Sequence, residues 1–284
     1  MHGRRAPAVA TAVVAAVAVW LVWWVFVTTT TGRLVDEAAL EGAELGRNRL
    51  WQLAEPVLEV ISLPFIAGVL VATMLLAVIR RRVGLAIQVA VLMGGANLTT
   101  QVLKLGVLPR PDLGLGDMLR NTLPSGHTTA AASVAAALVL VVPRRVRPTA
   151  AVLGALYTAA TGVSTLVGRW HRPSDAIAAI LVVLAWAGVA TAVGTRLAGG
   201  RDDHHHHTAA VAGLLLLGAV SSGALAGLAL QRTVAGLDEG LTSTAERLTA
   251  YGGGALGVVS VTCLAFGLLL VLVRIAEPRP REAR

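Results

Sequence analysis

The chain has 284 residues, of which 55% are hydrophobic and 14% charged, and its mean hydropathy is +0.72. That balance excludes an ordinary water-soluble domain, because several apolar runs exceed the roughly 18 residues that mark a membrane span. The net charge of +8 would point to nucleic acid in a soluble protein. Here most Arg residues fall in short loops between apolar runs, which assigns them to topology and anionic headgroups and leaves no nucleic-acid partner.

In chain order, the first apolar run covers about Ala6 to Thr28 and carries Trp20, Trp23 and Trp24. It is too long for a signal peptide and lacks a small-residue cleavage site, so it reads as a retained span. Leu34 to about Leu50 reads as a short amphipathic helix on the membrane surface. A second span runs from about Val57 to Ile79 and stops at Arg80–Arg82; a third covers Gly84 to Leu103. On the third, Asn97, Thr100, Gln101 and Lys104 form a polar stripe at helical spacing, which faces a cavity or a neighbouring helix rather than lipid. Asn97 and Gln101 are read as partners between helices. Leu105 to Pro124 is rich in Pro and Gly, too irregular to face lipid; its Asp112 and Asp117 read as solvated.

The fourth span follows His127 and ends before Pro143; the fifth covers Thr149 to Val167, and the sixth ends near Val193. Arg196 to Thr208 forms a loop containing His204 to His207. Spans seven (Ala209–Leu230) and eight (Gly253–Val273) and a basic tail close the chain. Assigned alternately, the loops on the side of the termini carry the larger share of basic residues, so both termini are expected in the cytoplasm. The loops after spans three and five, and the start of span four, then share the external face. The four His residues invite a metal reading, but they lie on the opposite side beside Asp202 and Asp203 and read as a solvated loop. The single cysteine, Cys263, can form no intramolecular disulfide.

Three polar clusters therefore converge. The first is Lys104 with Arg110-Pro111; the second is Pro124-Ser125-Gly126-His127; the third is Ser164 followed by His171 and Asp175. Lys104 is the only lysine in a chain that otherwise uses Arg, which points to a need for a compact ammonium. Ser125 to His127 sit where an apolar helix begins, so free N–H groups and the helix dipole favour an anion. His171 and Asp175, four apart across Pro173, suit the first turn of a helix. The carboxylate can there accept from one imidazole nitrogen and leave the other available as a nucleophile.

In this order, over about residues 97 to 180, the clusters resemble the type 2 phosphatidic acid phosphatase superfamily, the membrane lipid-phosphate phosphatases. That resemblance implies a six-helix core and a phosphohistidine mechanism in which His171 attacks phosphorus, with Asp175 behind it. His127 would protonate the leaving group and later activate water. Lys104, Arg110, Ser125, Gly126 and Ser164 would hold the phosphoryl oxygens. The chemistry implied needs no metal and no cofactor.

The sequence departs from the family pattern twice. Five residues rather than six separate Lys104 from Arg110, and Thr165 stands where the third motif has an arginine. Arg172, or else Arg169, is the expected substitute for that charge, with Arg172 favoured. The expectation is thus an all-α polytopic bundle of about eight transmembrane helices. Residues 1–196 form the phosphatase core, 197–208 the cytoplasmic His loop, and 209–284 two additional helices and the tail. Expected substrates are phosphatidic acid, phosphatidylglycerol phosphate or a polyprenyl diphosphate. The wealth of Ala, Gly, Val and Arg fits a GC-rich bacterial genome. Two alternatives stay open: a non-hydrolysing relative that binds lipid phosphate, and a lipid or anion transporter.

Overall fold

Packing in this protein is governed by small side chains. The computed structural model describes residues 5–45, 47–59, 68, 71–72, 83–115, 121–194 and 205–276, and these form helices and connecting segments without strands. In order they are α1 (Ala6–Thr28), α2 (Thr30–Glu44), α3 (Arg47–Glu59), α4 (Val83–Val102), α5 (Gly126–Val141), α6 (Arg147–Val167), α7 (Pro173–Val193), α8 (His205–Gly236) and α9 (Thr244–Ala276). A π-helical turn, Leu103–Val107, extends α4 and carries Lys104.

Six helical stretches among the described residues are long and apolar enough to cross a membrane: Ala6–Thr28, Val83–Val107, Arg144–Val167, Pro173–Val193, His207–Glu239 and Thr244–Ala276. α5 is apolar but only 16 residues long. Its N-terminus starts from an irregular loop, so the expected fourth span is shorter than the others. The expected second span lies mostly outside the described residues, as do Arg80–Arg82, Asp117, His204 and the tail beyond Ala276. α8 begins at His205, so the expected His loop gives way to helix at its end.

α7 is the hub, packing against α1, α4, α5, α6 and α9. Where lipid tails are as apolar as leucine, close van der Waals packing rather than water exclusion holds helices together, and small residues permit it. α5 buries Ala130, Ala131, Ala132, Ala135, Ala136 and Ala137. Around them lie Leu92, Met93, Ile180, Leu269 and Leu270, all fully buried.

The largest departure from expectation concerns α2. Two of its charged residues are buried inside the protein. Arg33 and Asp36 are each 2% exposed, and Val35, Ala38, Ala39, Leu40 and Ala43 are buried with them. Thr29 caps the helix, its hydroxyl accepting the Gly32 N–H at 3.1 Å. Gly32 permits the sharp α1–α2 corner, since a Cβ there would lie 1.9 Å from the Val25 carbonyl oxygen. The corner folds α2 back over the end of the bundle where the three polar clusters meet.

Candidate active site

The first cluster is fixed from both sides of Arg110. Trp23 on α1 donates its indole N–H to the Pro109 carbonyl at 3.0 Å. Arg33 on α2 donates from Nη2 to the Pro111 carbonyl and from Nε to Val27 at 2.9 Å. Arg110 itself is 9% exposed. Asn121 ties this loop to the next, its Nδ2 donating to the carbonyls of Leu108 at 2.8 Å and Leu123 at 3.0 Å. The Leu123–Pro124 peptide bond is cis.

In the second cluster Ser125 is the N-cap of α5. Its Oγ accepts the Thr128 N–H at 3.3 Å and the Thr128 hydroxyl at 3.0 Å, which leaves its own O–H to donate. The Ser125 carbonyl accepts from the Thr129 hydroxyl at 2.8 Å, and Thr129 in turn pairs with Thr100 of α4 at 2.9 Å. Asn97, one turn back on α4, donates to Ser133 at 3.1 Å. The polar stripe on α4 thus meets α5, and Gln101 lies beside Gly126. A Cβ added to Gly126 would have the Gln101 Nε2 as its nearest neighbour, at 3.9 Å. Packing does not demand glycine here; the space in front of it is open.

The third cluster is built on the start of α7. Asp175 is the third residue of that helix and 2% exposed. One carboxylate oxygen, Oδ2, lies 3.1 Å from His171 Nδ1 and accepts the Arg172 backbone N–H at 3.0 Å. Because a carboxylate only accepts, it selects the tautomer with hydrogen on Nδ1 and leaves the Nε2 lone pair available. The Asp175 carbonyl accepts the Ser125 N–H at 2.9 Å, so the second and third clusters are joined backbone to backbone. His171 and Lys104 both lie within electrostatic range of His127.

Aromatic rings wall one side. The His127 and Trp170 rings are 5.2 Å apart, and Trp51 on α3 meets Trp170 edge-on at 5.9 Å.

Thr165, in the place of the motif arginine, is fully buried and donates its hydroxyl to Gly162 at 2.7 Å. Its carbonyl accepts the N–H groups of Trp170 at 3.0 Å and His171 at 3.3 Å, so it shapes the loop through its backbone. Ser164 caps the end of α6 with its carbonyl, which accepts from Gly168 at 2.9 Å. The guanidinium of Arg172, the expected substitute, is engaged by α2: Nε and Nη2 donate to Glu37 Oε2 at 2.9 and 2.7 Å. Arg169, at φ 58°, occupies the left-handed region at a cost of about 1–2 kcal/mol, and its guanidinium pairs with Glu44.

The three motifs, from Lys104 to Asp175, all lie within one stretch of the sequence that is similar to a known family. Residues 85–198 match the model of the PAP2 superfamily. Over that stretch, about two fifths of the chain, the protein is similar to that superfamily. No curated protein and no solved structure matches the chain. The matched segment runs from α4 to just beyond α7, leaving α1, α2, α3, α8 and α9 outside it.

Sequence reasoning missed Trp23, Arg33, Asp36, Glu37 and Asn121. Each bonds to the PAP2 motifs or the loops carrying them, and all but Asn121 lie outside the matched segment. Asp36 has the most unusual environment: its Oδ1 accepts the Ser174 N–H at 3.1 Å and its Oδ2 meets the Ser174 hydroxyl. Burial, then the nearby Asp175 charge, push it up to about 7 despite the bonds from Ser174. Either protonation state keeps the Ser174 N–H partnered.

Proposed function

We propose that this PAP2-superfamily protein hydrolyses a lipid phosphate or diphosphate through a phosphohistidine intermediate, at the external face of a bacterial cell membrane. The observation that carries the reading is the buried His171–Asp175 pair joined to the start of α5 by the Ser125–Asp175 backbone bond. A nucleophile with a fixed tautomer stands beside a helix N-terminus suited to an anion.

In the first step Nε2 of His171 forms a bond to phosphorus as the bond to the leaving oxygen breaks, and His127 gives that oxygen its proton. His127, now neutral, takes a proton from water; the hydroxide attacks phosphorus and His171 is released. Lys104 and Arg110 neutralise phosphoryl charge, with donors from Ser125 and the Gly126 N–H, and Ser164 alongside. The lipid tails remain among the helices while the headgroup reaches the interface. Phosphatidic acid, phosphatidylglycerol phosphate and a polyprenyl diphosphate are the candidate substrates.

The test is phosphate release by detergent-purified protein offered each of these lipids, with chelator present and no metal added. Release from at least one supports the reading. Binding of all three without release supports instead a non-hydrolysing relative, for which Thr165 is the specific motive.

Gly126 provides a separate check. Gly126→Ala replaces a helical glycine where the protein leaves room, so thermal unfolding in detergent should occur at the same temperature or higher. The methyl group would stand where the phosphoryl group approaches the backbone, so kcat/KM should fall tenfold or more. An unchanged kcat/KM would remove Gly126 from the phosphate cradle.

A further inference from the structure

Three carboxylates on α2 meet three successive points of the loop carrying His171. Glu44 pairs with Arg169, Glu37 holds Arg172 through two donors, and Asp36 takes the backbone N–H and hydroxyl of Ser174. The last contact caps the N-terminus of α7 from another helix. Behind α2 stands α9. A Cβ on Gly254 would lie 2.5 Å from Pro173 Cγ and 3.3 Å from Ala39 Cβ, and one on Gly42 would lie 2.1 Å from the Arg247 carbonyl oxygen. The first residue of α7, the middle of α2 and α9 therefore touch at one place. Neither α2 nor α9 belongs to the matched segment.

We propose that α2 is a brace for the catalytic loop, with Asp36 and Glu37 as positioning residues that fix His171 through Ser174 and Arg172, and with α9 as its backing. Arg172 then acts through Glu37 and through its backbone N–H to Asp175, rather than as the chief replacement for the motif arginine. The proposal rests on the hydrolytic reading above, because positioning has a rate consequence only if His171 performs chemistry. Near-attack geometry is sensitive to small displacements, so loss of the brace acts on kcat more than on KM.

The experiment compares Glu37→Ala, Arg172→Ala and the double variant with wild type, measuring kcat, KM and deuterium exchange at the amides of residues 169–176. Each single variant should lower kcat about tenfold with KM nearly unchanged, and the double should be no worse than either, since both remove one interaction. Exchange should rise in 169–176 and stay constant in α4. Asp36→Ala should behave alike, whereas Asp36→Asn, which keeps an acceptor for the Ser174 N–H, should restore most of the rate.

A raised KM in Arg172→Ala with an unaffected Glu37→Ala would overturn the proposal and return Arg172 to the phosphate. Unchanged exchange in both singles would overturn it too. If wild type hydrolyses nothing, the hydrolytic reading fails, and the exchange measurement still decides whether the brace exists.

Discussion

His171→Ala should reduce phosphate release by on the order of 10⁴-fold or more in kcat. That corresponds to roughly 5 kcal/mol of transition-state stabilisation. The size follows from the role: without the imidazole no bond to phosphorus forms in the first step, and the remaining cations can only bind the substrate. Affinity for the lipid phosphate should therefore change little, as Lys104, Arg110 and the α5 N-terminus are untouched. The fold should survive, because His171 sits in a loop anchored through the Thr165 carbonyl and through Asp175, which also accepts the Arg172 N–H. Steady-state kinetics together with lipid-binding measurements on the same preparation check both halves. Turnover within tenfold of wild type would contradict the assignment.

His127→Ala should cost about 10²- to 10⁴-fold, as expected for a lost general acid and base, and its cost should depend on the leaving group. Phosphatidic acid releases an alcohol, which departs poorly unless protonated. A polyprenyl diphosphate releases a phosphate ester whose second pKa is about 6, so it departs as an anion with less help. The defect should thus be at least about tenfold larger for the monoester than for the diphosphate, under conditions where the first step limits the rate. Equal defects would place His127 in the water-activating step alone, or outside proton transfer.

Much of the candidate site was legible because its residues are grouped locally in the sequence. Pro124 to His127 announces a helix start, and His171 and Asp175 lie four apart on either side of Pro173, so short-range geometry already couples them. The two cations are readable because Lys104 is the chain's only lysine and Arg110 is followed by proline. α2 was not legible in the same way. Its alternation of acidic and apolar residues is what a helix on a membrane surface would show, yet Asp36, Glu37 and Glu44 meet residues 169–174, more than a hundred residues away. Nothing in a local pattern separates a lipid headgroup layer from a basic loop as the partner of a charged face. Arg33, just before the stretch that reads as a surface helix, was missed for the same reason: it is buried and donates to the carbonyls of Val27 and Pro111. The apolar runs were easier, since length and hydropathy suffice for most of them. α5, at 16 residues, falls short of a full span, starting only after the Ser125 cap.

The central claim is a covalent phosphoryl group on His171. Its most direct test is rapid quenching of the purified protein with lipid substrate labelled in the phosphoryl group that would be transferred, followed by mapping of any acid-labile, base-stable label by mass spectrometry. The account predicts labelling of the peptide containing His171 in wild type, and no label in His171→Ala. Label persisting elsewhere in His171→Ala, or rapid turnover with no labelled protein at any quench time, would contradict it.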